Sequence, residues 1–169
     1  MIPSFYPAVV YGGTIFSSLN TCRALTKLGY DVRVSTTNTN MHDHLSVPRN
    51  QLMEIAPGLR VKYYHDTLVD RFSLPLFRGV AADLAAADLV HVQAIFNSPT
   101  PWALHHARRL GKPVVLSPRG VLGDWIMDQG LPFKRWWLRC FIEPFATYVH
   151  WHATAEQERE EILRWYPGA

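Results

Sequence analysis

The chain has 169 residues, which allows one domain or a domain and a fragment. Hydrophobic residues make up 48% and charged residues 18%, so the chain can bury a core and general disorder is excluded. The net charge of +3 suits an anionic small ligand or a membrane surface, but it is too small to indicate nucleic-acid binding. The two cysteines, Cys22 and Cys140, provide neither a disulfide framework nor metal-ligand spacing.

No apolar run reaches the ~18 residues of a membrane span, and the N-terminus has no signal-peptide pattern, so a cytoplasmic protein is expected. Along the chain, short β-branched runs alternate with longer stretches of helical spacing. A first helix is predicted from Gly12 and Gly13 to Gly29. Strands are predicted at 31–36, 59–64, 88–93, 113–117 and 148–153, further helices at 76–87, 99–110, 132–148 and 156–165, and an irregular loop over 37–58.

This alternation predicts an α/β protein with a Rossmann-like, doubly wound parallel sheet and helices on both faces. Only Met1 and Ile2 precede Pro3, so the strand that normally opens such a fold is either very short here or the sequence starts late. Ligands bind at the carboxyl ends of the strands in these sheets. We therefore expect the loops at 11–14, 93–98 and 117–124 to meet at one edge.

Gly12 and Gly13 precede the first predicted helix, where free amides and the positive end of the helix dipole suit a phosphate. The alternative is that the two glycines only turn the chain. The pattern is not Gly-x-Gly-x-x-Gly, and the segment after the next strand, 35–38, has no acidic residue. Both observations disfavour a nicotinamide-dependent oxidoreductase.

Arg119 follows a predicted strand closely and stands between Pro118 and Gly120. A guanidinium at the end of a strand can bind a phosphate or a carboxylate through two parallel hydrogen bonds. The alternative is a structural ion pair with Asp124 or Asp128.

His91 alternates with valines in a predicted strand, so it points either into the core, which is favoured, or into the site. The remaining histidines include three closely spaced pairs, but no carboxylate or cysteine set completes a metal site, and none is expected. The pairs are His42 with His44, His105 with His106 and His150 with His152.

Residues 133–141 combine aromatic and basic side chains on a predicted helix. Such a stretch can lie on an anionic membrane surface. The alternative is that one face packs on the sheet while the basic side chains are solvated.

Five segments, in this order along the chain, resemble the N-terminal domain of glycosyltransferase family 4, the retaining group with the GT-B fold. Two residues depart from the usual motifs: Tyr30 stands where histidine is common, and Ala155 replaces a serine. The segments are residues 2–13 with IPSFYP and YGG, 25–32 with LTKLGYDV, 87–92 with ADLVHV, 118–122 with PRGVL and 152–158 with HATAEQE.

The resemblance implies two Rossmann-like domains that face each other across a cleft, one for the acceptor and one for most of the nucleotide sugar. It implies that residues 1–169 are the acceptor-side domain and that the chain does not contain the C-terminal donor-binding domain. It assigns the donor diphosphate to Gly12 and Gly13. Arg119 stands where many members have a histidine near the reacting sugar, so it is the expected catalytic residue. The acceptor cleft is expected at Tyr11, His91, Asn97 and Gly120.

The implied reaction transfers a hexose, with retention, from a nucleoside-diphosphate sugar to a hydroxyl of a glycan or lipid-linked acceptor, as in polysaccharide biosynthesis. The nucleotide sugar is a co-substrate, and no metal or other cofactor is implied. Residues 1–169 alone are expected to be inactive. The expected location is the cytoplasm, with peripheral contact to the inner face of the membrane through 133–141. The alternative is a non-catalytic sugar- or partner-binding domain of the same fold.

Overall fold

A computed structural model describes residues 1–66 and 72–169. The chain divides into two compact units, Met1–Val80 and Ala81–Ala169. The strands are β1 (Val32–Thr37), β2 (Thr39–Asn40), β3 (Asp43–His44), β4 (Leu52–Ala56), β5 (Leu59–Tyr64), β6 (Val90–Gln93), β7 (Val114–Ser117) and β8 (His150–Trp151). The α-helices are α1 (Gly13–Lys27), α2 (Leu74–Ala85), α3 (Pro99–Arg109), α4 (Asp124–Asp128), α5 (Leu131–Trp137) and α6 (Glu156–Trp165).

The first unit is built around α1 and a three-stranded sheet with the order β1-β5-β4. In α1, Ile15, Leu19 and Cys22 are buried at the spacing of one helix face, as the sequence predicts. Strands β1 and β5 are parallel, with Val34 beside Val61. One core of the first unit contains the side chains of Ile2, Phe5, Leu19, Cys22, Val34, Leu59, Val61 and Tyr63.

The expected irregular loop over 37–58 is wrong in part. Strands β2 and β3 form a short antiparallel pair there, and β4 is an antiparallel edge strand of the main sheet. Strands β2 and β3 have only two polar residues each, and the sequence of β4, LMEIA, does not alternate between apolar and polar residues. The periodicity that reveals a strand is therefore missing from all three.

The first residues of the chain run beside β1, where an opening strand is expected. The amide of Ile2 donates to the carbonyl of Ser35 at 3.2 Å, and the amide of Thr37 donates to the carbonyl of Pro3 at 3.3 Å. The Thr37 hydroxyl donates to the same Pro3 carbonyl at 2.8 Å. Ile2 and Pro3 thus pair with β1 at the position where an opening strand is expected.

The second unit contains a parallel sheet with the order β6-β7-β8. Val90 and Val92 in β6 and Val114 and Leu116 in β7 are buried, and they line one face of the sheet because alternate residues of a strand point the same way. The parallel strands and their connecting helices confirm the predicted α/β, Rossmann-like class. The loops at 93–98 and 117–124 follow the carboxyl ends of two paired strands. The loop at 11–14 belongs to the first unit, and its meeting with the other two stays a prediction.

The predicted helix over 132–148 is interrupted. Helix α5 continues into a π-helical turn, Leu138–Ile142, and then into a 3-10 turn, Glu143–Phe145. Pro144 lacks the amide that a continuing α-helix needs, which explains the change of winding. The π turn buries both Leu138 and Ile142. The bounds of the last helix, α6, are as predicted.

Candidate functional site

The loop after β7 has an unusual backbone. Arg119 and Gly120 both adopt left-handed conformations, with φ of 66° and 74°. Ala94, directly after the neighbouring strand β6, also has a positive φ, of 65°. Non-glycine residues rarely adopt this region, and such strain is concentrated at functional sites. The backbone conformation alone therefore marks the carboxyl ends of β6 and β7 as a candidate functional site.

The Arg119 side chain is fixed by the end of the neighbouring strand. Its Nη2 donates to Oε1 of Gln93 at 2.8 Å. Gln93 is the last residue of β6, it is buried, and it is paired in register with Ser117 at the end of β7. Asp124, one of the two acidic residues of the structural alternative, accepts hydrogen bonds from Arg164 at 2.8 and 2.9 Å. A neutral amide oxygen holds the Arg119 guanidinium in place.

Glu158 fixes the backbone of the same loop. Its side chain lies in α6, and the residue is only 4% exposed. Oε1 accepts the Gly120 amide at 2.6 Å, and Oε2 accepts the amide and the hydroxyl of Thr154 at 2.6 and 2.7 Å. Burial alone would raise the pKa of this carboxyl, but the hydrogen bonds from Thr154, Gly120 and Arg119 outweigh it and the pKa is lowered. Glu158 is therefore ionised at neutral pH.

His91 is the first member of a hydrogen-bonded chain of three side chains. Its Nε2 lies 2.8 Å from the Ser117 hydroxyl, which lies 2.8 Å from Nδ1 of His152. Ser117 is fully buried and His152 is exposed. A hydroxyl carries one proton, so at least one imidazole must donate to it. Burial, together with the positive charges of Arg119 and His152, lowers the pKa of His91 to about 4, so its ring is neutral at pH 7.

Asn97 begins the helix that follows β6. Its Oδ1 accepts the amide of Thr100 at 3.0 Å, and the Thr100 hydroxyl donates to the Ala94 carbonyl at 2.8 Å. Ser98, which directly precedes the helix, makes no side-chain cap bond, so Asn97, one residue earlier, is the residue whose side chain caps it. Asn97 is 7% exposed, and its Nδ2 has no hydrogen-bond partner within residues 1–66 and 72–169. A buried amide donor without an acceptor is available to a ligand.

In the first unit, the N-terminus of α1 is open. Gly12 is the N-cap, with φ of 72°, and no side chain caps the helix or adds an acidic group to its first turn. A Cβ at Gly12 or Gly13 would meet no atom within 4 Å. The backbone of Gly12 requires glycine, whereas the helical backbone of Gly13 does not. The amides of a first helical turn lack intrahelical acceptors, so this terminus can receive an anion.

Tyr11 has a structural role in the first unit. Its hydroxyl accepts the amide of Met41 at 2.7 Å and lies 3.1 Å from the Thr39 hydroxyl. The phenol therefore connects the residues before α1 to the short β2 strand.

The predicted site residues thus fall into two groups, one in each unit. In the second unit, Gln93 holds Arg119, Glu158 holds Gly120, and His91 is linked through Ser117 to His152. Asn97 lies in the loop after β6, and Tyr11, Gly12 and Gly13 lie together in the first unit. The sequence analysis missed four partners of the predicted residues: Gln93, Ser117, His152 and Glu158. Gln93 and Ser117 end predicted strands, and His152 and Glu158 lie in the HATAEQE segment. Their position at strand ends and in this motif could have marked them as candidates.

In the described part of the chain, histidine, cysteine, aspartate and glutamate side chains form no cluster of three or more that could hold a metal ion. None of its helices has the length and hydropathy needed to span a membrane. One cavity of about 440 Å³ is lined by residues of the first unit that include His44 and Arg49. Another, of about 360 Å³, is lined by Arg135, Arg139 and Glu143 among others, and neither includes Arg119, His91 or Asn97.

The chain was compared with known proteins. A family model described as a glycosyl transferase 4-like domain matches residues 12–169. No curated protein sequence matches the chain significantly. The match covers the α1 N-terminus, the Arg119 loop and Glu158 together.

Proposed function

Because the chain belongs to the family of glycosyl transferase 4-like domains, we propose that it is the acceptor-side domain of a retaining, nucleotide-sugar-dependent glycosyltransferase. The reaction would transfer a hexose from a nucleoside-diphosphate sugar to a hydroxyl of a glycan or lipid-linked acceptor. The nucleotide sugar is then a co-substrate, which the residues of this chain help to bind and orient.

The Arg119 loop is the observation that carries the proposal. When the bond between the sugar and the diphosphate breaks, negative charge grows on the leaving group. Donors that are already in position stabilise such charge best, because they need no reorganisation during the reaction. Arg119 is held at its guanidinium by Gln93, and the next residue, Gly120, is held at its amide by Glu158. These two contacts support a role for Arg119 as a fixed cation toward the substrate.

The N-terminus of α1 is the proposed contact for the donor diphosphate. The helix has 15 residues, its first turn has no side-chain cap, and no Cβ occupies the space above Gly12 and Gly13. The backbone amides and the helix dipole both favour a phosphate there. Gly13 supports the proposal most directly, because the local backbone gives no other reason for a glycine.

His91 and Asn97 are the proposed acceptor contacts in the second unit. A neutral imidazole and an unpartnered amide donor suit a polyhydroxyl ligand, whose oxygens accept and donate hydrogen bonds without carrying charge. The Asn97 Nδ2 donor is already desolvated, so an acceptor oxygen that reaches it replaces no bond within the described protein.

The test is a turnover assay of the purified full-length protein against a panel of nucleoside-diphosphate sugars, with Arg119→Ala and Arg119→Lys beside the wild type. We expect Arg119→Ala to lower kcat/KM on the order of 10²-fold, the scale for removal of one preorganised donor. Lysine should recover little, because it lacks the planar fork. The matched control is Arg164→Ala, which removes an arginine from an exposed ion pair in the same unit and should leave kcat/KM unchanged.

Two outcomes would contradict the proposal. An Arg119→Ala protein that unfolds several degrees earlier but retains normal activity per folded molecule would make Arg119 structural. Binding of sugars by the full-length protein without any transfer would favour the alternative of a non-catalytic binding domain. Residues 1–169 expressed alone should show no transfer, because the family resemblance assigns most donor contacts to a second domain.

A further inference from the structure

Three large aromatic side chains are exposed on α4 and α5, and two of them, Phe133 and Trp136, are in ring contact. Trp125 is 75% exposed, Phe133 61% and Trp136 51%, and the rings of Phe133 and Trp136 lie 5.8 Å apart between centroids. Single apolar residues on a surface are ordinary, whereas a cluster of large ones marks an interaction site. We call the surface formed by Trp125, Phe133, Trp136, Arg135 and Arg139 the aromatic-basic surface.

The core does not need these side chains. The opposite side of the same helical run is buried through Leu138 and Ile142, and Nε1 of Trp137 donates to the Ile95 carbonyl at 2.8 Å. The run is therefore fixed on its inner side, and Phe133 and Trp136 project outward from a rigid support. Ordering these side chains on a partner costs little entropy, since their backbone is already held.

Two arginines accompany the exposed rings. Arg135 and Arg139 are both exposed and lie four residues apart, which places them on the same side of a helix. Within the described residues, neither forms an ion pair. Residues 129–142 contain three basic and no acidic residues. Asp128 and Glu143 lie just outside this segment, and the nearby Asp124 is paired with Arg164.

Lys134 is partly buried beneath the aromatic-basic surface. Its ammonium donates to the carbonyl of Ile126 in α4 and lies 5.7 Å from the ring centroid of Phe96. Lys134 therefore holds α5 against α4, and it is not one of the residues of the aromatic-basic surface.

We propose that the aromatic-basic surface binds an anionic phospholipid bilayer. Tryptophan and phenylalanine partition to the boundary between headgroups and acyl chains, and arginine binds phosphate through its planar fork. The combination of exposed rings with two exposed guanidinium groups that form no ion pair among the described residues matches the chemistry of an anionic headgroup layer, although Glu143 lines the same cavity as both arginines. This inference goes beyond the proposed function, since it holds whatever reaction the protein catalyses.

Cys140 provides a direct reporter, because it is exposed between Arg139 and Phe141 while the other cysteine, Cys22, is buried. We would label Cys140 of the purified full-length protein with an environment-sensitive fluorophore and add phosphatidylcholine vesicles with and without phosphatidylglycerol. We expect the emission to brighten and shift to the blue with the anionic vesicles and to weaken in high salt. The matched control is Cys140→Ser with Glu160→Cys, which moves the label to an exposed residue of α6 and should show no change.

The second measurement is vesicle co-sedimentation of the triple variant Trp125→Ser, Phe133→Ser, Trp136→Ser. We expect its partition onto anionic vesicles to fall at least about tenfold, because the apolar area that enters the membrane is removed. Tyr30→Ser, which removes an exposed aromatic residue of the first unit, is the control and should bind like the wild type.

Unchanged vesicle binding by the triple variant would overturn the proposal, as would a Cys140 label that stays dark on anionic vesicles. Concentration-dependent self-association that the triple variant abolishes, without any vesicle binding by the wild type, would instead identify the surface as a protein interface and also overturn it. Transfer to a soluble acceptor should be the same for the triple variant and the wild type, so this test stands apart from that of the proposed function.

Discussion

Glu158 accepts the backbone amide of Gly120 at 2.6 Å, across 38 residues of sequence. The bond joins the last helix to the loop after β7, at the point where Arg119 and Gly120 both have left-handed backbones. The same carboxylate closes the N-terminus of α6 through Thr154, where Ala155 provides no capping side chain. One buried charge therefore holds both the helix that ends the domain and the loop that carries the proposed cation.

The first prediction follows from this bond. Glu158→Gln should destabilise the second unit by about 2–3 kcal/mol, because a charged acceptor of three hydrogen bonds is replaced by a neutral amide and buried donors lose their partner. Glu160→Gln, on the exposed side of the same helix, should change stability by no more than about 0.5 kcal/mol. Urea unfolding of the two variants measures both values. Equal, small effects would show that the Glu158 contacts contribute little.

The second prediction separates the two glycines before α1. Gly12→Ala should cost about 1 kcal/mol or more, because φ of 72° is unfavourable for alanine. Gly13→Ala should be neutral or stabilising by up to about 0.5 kcal/mol, since its backbone is helical and its surroundings are open.

If the donor diphosphate packs on this helix end, Gly13→Ala should nevertheless weaken nucleotide-sugar binding about tenfold, equivalent to about 1.4 kcal/mol. Titration calorimetry with the best donor of the panel would measure it. If the Gly13→Ala protein is stably folded and binds the nucleotide sugar as tightly as the wild type, the diphosphate does not bind at this helix end.

The third prediction separates the capping role of the Asn97 side-chain oxygen from the ligand-binding role of its Nδ2 donor. Asn97→Asp keeps the oxygen that caps α3 and removes the unpartnered NH₂ donor, whereas Asn97→Ala removes both. We expect only the alanine variant to lose the capping contribution of about 1 kcal/mol. Both variants should raise KM for the acceptor by a similar factor, about tenfold, if Nδ2 binds an acceptor oxygen. A normal KM in Asn97→Asp would restrict Asn97 to capping.

The fourth prediction concerns pH. The pKa of His91 is about 4 in the folded chain against an ordinary value of 6.5, so the unfolded chain binds a proton first as the pH falls. Stability should therefore be highest above pH 6.5 and decline as the pH falls toward 4. Between pH 7 and pH 5 the loss from this one group amounts to at most about 2 kcal/mol. Solvent screening reduces it, because the imidazole is only partly buried.

The measurement is urea unfolding of wild type and His91→Gln at pH 7 and pH 5. The variant has no imidazole at this position, so the decline between the two pH values should be smaller by that amount. Parallel declines in both proteins would mean that His91 titrates normally in the folded chain.

Local patterns predicted the regular elements well. The bounds of α6 and β5 agree with the sequence analysis, because apolar spacing, glycine and strand alternation are all properties of neighbouring residues. The strands within 37–58 were missed because β2 and β3 are too short to show a period, and because the sequence of β4, LMEIA, does not alternate between apolar and polar residues. Ser98 and Asn97 are both good capping residues, and only the three-dimensional path of the chain decides that Asn97 acts.

The network around Arg119 could be predicted only in outline. Its position after a strand marked Arg119 as a candidate, but its partner Gln93 lies 26 residues away and nothing periodic connects them. Ser117 between two imidazoles depends on the register of β6 against β7 and of β7 against β8. Such registers are set by packing between strands, which no single stretch of sequence encodes.

The division into two units has a spectroscopic consequence. All six tryptophans lie within Ala81–Ala169, whereas five of the seven tyrosines lie within Met1–Val80. Tryptophan emission therefore follows the unfolding of the second unit. It measures directly how the Glu158, Asn97 and His91 variants change the stability of that unit. The Gly12 and Gly13 variants change the other unit, so their stability has to be followed by amide exchange in α1 or by circular dichroism. Coincident curves from both probes would show that the two units unfold as one.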